Sequence, residues 1–90
     1  MSRDKVTEDY IESRIKEVRY IKDQSSTVTV CAITMVNGFS AIGYSACVDP
    51  KNFDEDYGKS IAYENAFNQL WPLEGYLLKE EMYQASKNKQ

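Results

Sequence analysis

The chain has 90 residues, a formal net charge of −3 and no histidine. Its hydrophobic fraction of 42% and charged fraction of 28% are ordinary for a folded domain, and no apolar run approaches the roughly 20 residues that span a bilayer. A negative charge balance argues against duplex nucleic acid as a partner, because such binding neutralises many phosphates with clustered Lys and Arg. These numbers predict one soluble domain over residues 1–90, and they do not exclude a small anionic ligand.

The absence of histidine limits the chemistry that the chain can perform. It removes the usual general base, the commonest metal ligand, and the Ser/His/Asp and Cys/His arrangements of nucleophilic catalysis. The spacing of the two cysteines, Cys31 and Cys47, is not a zinc-binding pattern. We therefore predict that the protein is not an enzyme and that it uses neither a metal nor a cofactor.

The N-terminal segment MSRDKVTEDY is charged throughout and lacks the apolar stretch of a secretory signal. We expect a cytoplasmic protein with no membrane association and with both cysteines as thiols.

Helical spacing predicts a first helix over residues 6–21. Thr7 is a good N-cap, because its side-chain oxygen can accept from a free backbone N–H of the first turn. Ile11, Ile15 and Val18 recur at intervals typical of a helix with a narrow apolar face. Such a helix would lie on the surface of the domain and cover part of its core.

The residue pattern changes after residue 26 to two β-branched runs, TVTVCAITMV and FSAIGYSACV, which flank the dipeptide Asn37-Gly38. An Asn-Gly pair between such runs predicts a two-stranded antiparallel hairpin with a two-residue turn. That turn length sets the register, and it places Thr34 opposite Ala41.

Both faces of this predicted hairpin carry apolar residues, whereas a hairpin with one wet face alternates apolar and polar residues. Cys31 and Cys47 fall on opposite faces in this register, which disfavours a disulfide between them. A lone hairpin is marginal in water. We therefore expect the sheet to extend across subunits of a homo-oligomer, a dimer or larger.

The rest of the chain predicts a long C-terminal helix. Asp49 and Asp54 are suited to cap a short turn and the long helix, respectively. Pro72 should end or kink this helix, and Gly75 should let a neighbouring element approach closely. We expect residues 1–5 and 85–90 to fray. The predicted fold is therefore α+β, with an N-terminal helix, a hairpin and a kinked C-terminal helix.

Several short motifs occur together in a fixed order: NGF, then GYSACVDPKNFDEDYG, then AYENA and LWPLEGYLLKE. In this combination the chain resembles the gene-49/gene-66-like family of small proteins from tailed bacteriophages. The resemblance covers residues 30–80, and the predicted N-terminal helix contributes little to it.

The resemblance implies a phage accessory protein that acts in the cytoplasm of the host cell. By analogy with other small phage proteins, we expect a role against host defence. In its concrete form, an oligomer acts as a sponge that binds and sequesters a cyclic-nucleotide immune signal without cleaving it. The alternative is a protein-binding module that inhibits or redirects a host protein.

The candidate ligand-binding residues combine aromatic rings, which can stack on bases, with amides, a small hydroxyl and a cation. Each type also has a structural interpretation, since aromatic residues build cores and interfaces and helical Asn residues often bond within the protein. The predicted set is Tyr44, Ser45, Lys59, Tyr63, Asn65, Asn68 and Trp71.

Overall fold

The computed structural model describes residues 5–88, and its architecture is α+β. In chain order the elements are α1 (Glu8–Ser13), β1 (Ile15–Lys22), β2 (Thr29–Met35), β3 (Ser40–Ser45), a 3-10 turn (Pro50–Asn52), α2 (Glu55–Asn68) and α3 (Leu70–Asn88). The strands form one antiparallel sheet in the order β1-β2-β3. The predicted fraying of residues 1–5 and 85–90 stays a prediction, since residues 1–4 and 89–90 lie outside the described part.

The predicted N-terminal helix is wrong over most of its length. Thr7 does cap a helix, with its side chain accepting from the N–H of Tyr10, but α1 ends at Ser13 and β1 follows. Apolar residues at 11, 15 and 18 fit a helix, yet Val18 pairs with Ile33 of β2. A third strand stabilises a hairpin that would be marginal alone, so tertiary pairing overrides the local pattern.

The hairpin between β2 and β3 is confirmed, but its predicted register is wrong by one residue. Thr34 lies opposite Ser40, and the N–H of Met35 donates to the carbonyl of Phe39. The loop therefore has three residues, with Gly38 at φ +92°. This loop is the second commonest hairpin type, a turn followed by a residue in the left-handed region, which favours glycine.

This register decides which side chains enter the core. The odd-numbered residues of β2 and β3 face α2, and the even-numbered ones lie on the open face of the sheet. The core therefore contains Ile11 of α1, Cys31 and Ile33 of β2, and Ala62 and Ala66 of α2.

The predicted kink at Pro72 takes the form of a break between two helices. α2 ends at Asn68 and α3 begins at Leu70, so Pro72 lies in the first turn of α3. A proline ring clashes with the carbonyl four residues earlier, here that of Asn68, and it lacks the N–H that would continue the helix. In the first turn of a new helix, by contrast, that missing N–H has no cost.

α3 packs on the body of the protein through a narrow stripe that contains Leu70, Glu74 and Leu78. Several large apolar side chains of the same helix remain exposed, among them Leu73, Tyr76, Met82 and Tyr83. Gly75 has no close neighbour: a Cβ added there would meet no atom within 4 Å. The structure therefore gives no support within one chain to the expected close approach at Gly75.

We expect Gly75→Ala to raise the free energy of unfolding by about 0.5 to 1 kcal/mol. Alanine loses less backbone entropy than glycine in a helix, and its methyl group meets no atom at this position. Urea denaturation followed by circular dichroism measures the change. A loss of stability instead would mean that Gly75 contacts a second copy of the chain.

Candidate functional site

A cleft of about 720 Å³ lies between the free edge of β3, the loop that follows it, and one side of α2. It is the best candidate for a ligand site in the described part of the chain. The residues that line it include three aromatic residues, three with side-chain amides and two aliphatic ones: Tyr44, Phe53, Tyr57, Asn52, Asn65, Gln69, Ile42 and Ile61. Pockets that bind small molecules typically share this mixture of apolar walls and a few polar groups.

One side of the cleft is a single stripe of α2, formed by Tyr57, Ile61, Asn65 and Gln69. Residues four apart lie on the same helix face, so this stripe follows from helix geometry once the helix is placed. Asp54 caps the helix by accepting from the N–H of Tyr57, which orients the first turn at the mouth of the cleft.

Two amide side chains of this stripe bind the edge of β3. Asn65 Nδ2 donates to the carbonyl of Tyr44 at 2.9 Å, and Gln69 Nε2 donates to the carbonyl of Ile42 at 2.6 Å. An exposed strand edge normally leaves its carbonyls free to pair with another strand. Here α2 occupies two of them and holds the edge in place.

Small residues let α2 approach β3 closely. A Cβ added at Gly43 would lie 2.5 Å from the carbonyl oxygen of Ala62 and closer still to the backbone nitrogen of Ala66. Nearby, the hydroxyl of Ser45 donates to the carbonyl of Gly58 at 2.7 Å. Ser45 is therefore half-buried and bonded within the fold.

The loop after β3 closes the remaining side of the cleft. The N–H of Cys47 donates to the hydroxyl of Thr27, which in turn donates to the carbonyl of Cys47. Asp49 accepts from the N–H of Lys51 and from the amide of Asn52, as the sequence predicted for this cap. These bonds tie the loop to the sheet and hold Asn52 beside the cleft.

The charges around α2 are distributed unevenly. Asp54 is the one charged residue in the lining of the cleft. Lys59 lies elsewhere, with its Nζ 5.6 Å from the ring centre of Tyr20 in β1 and 3.8 Å from Glu55 Oε2. Helix positions two apart are about 200° apart around the axis, which explains why Lys59 and Ile61 face different ways.

Three weak acids with shifted pKa values lie on different elements, Tyr20 on β1, Cys31 on β2 and Tyr63 on α2. Burial is the main cause in each case, and it raises the pKa of Tyr20, of Cys31 and of Tyr63. Burial disfavours the charged form of an acid, so these groups remain neutral at physiological pH.

We expect the protein to lose stability at alkaline pH. Groups whose pKa is raised by folding bind more protons in the folded state than in the unfolded state. Their contribution to the free energy of unfolding is therefore complete below the pKa of the unfolded state, and it is lost as pH rises through the pKa of the folded state. Loss should begin above about pH 8.5, where an unfolded thiol ionises. Urea titrations between pH 7 and 10 measure it, and Cys31→Ala should flatten the first part of the decline.

The structure divides the seven predicted site residues. Tyr44, Ser45 and Asn65 line the cleft. Lys59 and Tyr63 face β1, while Tyr63, Phe67 and Trp71 form a row of rings with centres 5.7 and 6.1 Å apart. Asn68 is exposed at the end of α2, outside the lining. A direct role for any of these residues in binding stays a prediction.

Sequence reasoning did not select several residues that line the cleft: Asn52, Phe53, Tyr57, Ile61 and Gln69. Tyr57, Ile61, Asn65 and Gln69 recur every four residues, so extending the helix face from Asn65 would have identified the stripe. No comparable signal exists for Asn52 and Phe53, because a loop fold brings them to the site.

Within residues 5–88, His, Cys, Asp and Glu side chains form no group of three or more that could hold a metal ion. Cys31 and Cys47 are both free thiols. In the same range, no helix has the length and apolar character needed to cross a membrane.

Comparison with known proteins identifies a family. Neither the curated proteins nor the solved structures contain a match to this chain. The model of one family, described as phage protein (N4 Gp49/phage Sf6 gene 66), matches residues 6–82. That match spans α1, the whole sheet, α2 and most of α3, and it includes the edge of β3 and the stripe of α2 that form the cleft. The chain therefore belongs to the N4 Gp49/phage Sf6 gene 66 family of phage proteins.

Proposed function

We propose that this phage protein acts against host defence as a homo-oligomeric sponge, which binds a cyclic-nucleotide signal and sequesters it intact. The observation that carries the proposal is the cleft of about 720 Å³, in which the aromatic residues Phe53 and Tyr57 accompany the amides of Asn52, Asn65 and Gln69. Aromatic rings stack on bases, and amide side chains both donate to and accept from base edges.

Binding without catalysis agrees with the composition of the cleft. Asp54 is the one ionisable carboxylate in its lining, and its side chain already accepts from the N–H of Tyr57 as a helix cap. General acid–base cleavage commonly needs a positioned pair of titratable groups. Among the described residues of the lining, the titratable ones besides Asp54 are Tyr44, Tyr57 and the half-buried Cys47.

A second copy of the chain would complete this site. The lining described above contains no Lys or Arg, whereas a nucleotide phosphate is most often neutralised by cations. Large apolar side chains are exposed on the open face of the sheet and along α3, among them Ile21, Ile42, Leu73 and Met82. Association that covers these surfaces would let a second copy contribute residues to the site.

The free edge of β1 suits a sheet that continues across subunits. The carbonyls of β3 are occupied by Asn65 and Gln69, so strand addition is disfavoured there. β1 is exposed over most of its length. In an antiparallel pairing centred on Val18, Glu17 of each copy would lie opposite Arg19 of the other, which is a favourable cross-strand pair.

Calorimetry against a panel of cyclic dinucleotides, cyclic trinucleotides and cyclic ADP-ribose isomers tests the proposal. We expect one class to bind and to be recovered intact after heat denaturation of the protein. Recovery of cleaved ligand would show an enzyme instead, and absence of binding to the whole panel would refute the sponge.

Tyr57→Ala should weaken binding about 5-fold or more, because base stacking on an aromatic ring contributes roughly 1 to 3 kcal/mol. Tyr76→Ala is the matched control, since Tyr76 is similarly exposed but lies on α3 outside the cleft. Light scattering of each variant checks that assembly is unchanged. A monomer at micromolar concentration would contradict the oligomeric part of the proposal.

A second candidate function is a protein-binding module that inhibits or redirects a host protein. The exposed Ile21, Ile42 and Tyr44 on the open face of the sheet favour it, because grouped apolar residues commonly mark interfaces. Affinity capture from host lysate, with Ile21→Asp as a negative control, distinguishes this function from nucleotide binding.

A further inference from the structure

The hydrogen-bond pattern of the hairpin determines which backbone groups of β3 face the cleft. The N–H of Met35 donates to the carbonyl of Phe39, so these two residues form a hydrogen-bonded pair. Such pairs alternate along an antiparallel ladder. The residues of β3 whose N–H and C=O groups bond to β2 are therefore 41, 43 and 45, and the N–H and C=O groups of Ile42 and Tyr44 point outward from the edge of the sheet.

The side-chain contacts of α2 agree with this alternation of bonded and outward-facing residues along β3. The carbonyls of Ile42 and Tyr44 accept from Gln69 and Asn65, which line the cleft. In an extended strand the N–H and C=O of one residue point to the same side. Neither outward N–H donates to a side chain or a loop carbonyl of residues 5–88. The edge therefore offers donors to the cleft while its acceptors are occupied.

We infer that the backbone N–H groups of Ile42 and Tyr44 form an anion-binding subsite of the cleft, suited to a nucleotide that carries two phosphoryl groups. The inference rests on the proposed function, and it names the chemistry that would recognise the ligand. Backbone N–H groups bind phosphate oxygens in many proteins without a cationic side chain. This assignment gives the cleft a means of holding phosphates although its lining contains no Lys or Arg.

The spacing of the two donors defines the ligand further. Residues two apart on a strand are separated by about 6.7 Å, so one phosphate cannot accept from both parallel N–H groups at near-linear angles. Each donor must therefore bind a separate acceptor. Phe53 and Tyr57 lie in the same lining, where their rings can stack on the bases.

The occupied carbonyls also distinguish this subsite from a strand-addition site. A peptide that adds to a sheet edge needs both donors and acceptors along the edge. At β3 the amides of Asn65 and Gln69 already donate to the acceptors. An anion loses no hydrogen bond by this, because it only accepts. Its binding is favoured, since the carbonyl oxygens that would repel it are covered.

Amide chemical shifts in ¹⁵N-labelled full-length protein test the inference directly. The probes are inorganic pyrophosphate, a cyclic dinucleotide with two phosphates and a cyclic mononucleotide with one. We expect the amide signals of Ile42 and Tyr44 to move most on addition of pyrophosphate or the dinucleotide. The amide of Val18, which faces outward on the other edge of the sheet, is the internal control.

Ile42→Pro removes one of the two donors without removing a bond between strands, since the N–H of Ile42 points outward. Proline is tolerated at such edge positions. Ile42→Ala is the matched control, because it loses the same side chain and keeps the N–H. We expect Ile42→Pro to bind the dinucleotide about 10-fold more weakly than Ile42→Ala, since a hydrogen bond to a charged group commonly contributes about 1.5 to 3 kcal/mol. Circular dichroism verifies that each variant folds.

The outcomes separate the inference from the proposed function. Dinucleotide binding with unmoved Ile42 and Tyr44 amides and equal affinities of the two variants would overturn the inference and leave the sponge intact. Shifts of these amides with pyrophosphate, without binding of any nucleotide, would support the subsite and refute the sponge. Absence of binding by every probe would refute both.

Discussion

Gly43→Ala is expected to lower the free energy of unfolding by about 3 kcal/mol or more, a large part of the stability of a small domain. The added methyl group would lie 2.5 Å from the carbonyl oxygen of Ala62 and closer still to the backbone nitrogen of Ala66. Both atoms belong to the backbone of a helix, so they cannot move aside as a flexible side chain would. The helix must instead shift away from β3, which opens the core and separates Asn65 from the carbonyl of Tyr44.

Thermal denaturation measures this loss, and a decrease of more than about 10 °C in the midpoint is expected for a chain of this size. Gly75→Ala is the matched control, since the same substitution meets no atom within 4 Å there. If Gly43→Ala leaves the midpoint unchanged, α2 does not pack on β3 as closely as described, and the geometry of the cleft would have to be revised.

Arg14→Met is expected to lower the free energy of unfolding by about 2 to 3 kcal/mol, because it leaves a buried carboxylate without its partner. Arg14 Nε donates to Glu74 Oε2 at 2.9 Å, and the Glu74 side chain is only 7% exposed. Glu74 Oε1 has no hydrogen-bond partner in the described part of the chain. The contact with Glu74 also raises the pKa of the Arg14 guanidinium.

The double variant Arg14→Met with Glu74→Leu should recover most of this loss, since two apolar side chains can replace a largely buried ion pair with little net cost. Glu74→Leu alone should cost less than Arg14→Met, because Arg14 is partly exposed and can reach water. Urea denaturation of the four proteins gives the coupling energy between the two sites. Additive effects of the single substitutions would show that the pair does not hold α3 on the body of the protein.

The C-terminal half of the fold could be predicted well because its signals are local. Asp49 and Asp54 cap the turn and helix assigned to them, and the helix ends four residues before Pro72. A cap depends on the backbone N–H groups two or three residues ahead, and a proline acts on the carbonyl four residues behind. Such interactions are contained within a few neighbouring residues.

The N-terminal half could not be predicted in the same way, because its structure depends on partners distant in sequence. Residues 15–22 form a strand since they pair with β2, although Ile11, Ile15 and Val18 are spaced as in a helix. Similarly, Asn37-Gly38 correctly marked a hairpin, but the local signal did not distinguish a two-residue loop from a three-residue one. Burial of Ala41 and Gly43 under α2 selects the register, because a slip of one residue would turn these small side chains to the open face.

The candidate site follows the same division. The sequence by itself determined the family, the absence of histidine chemistry, the cap and helix that present Tyr57 and Asn65, and the small residues beside them. Only the tertiary structure decided that Tyr44 and Asn65 meet in one cleft while Lys59 and Tyr63 face β1. Side chains two positions apart on a helix point in opposite directions, so their neighbours are set by the packing of α2 on the sheet, which no local pattern specifies.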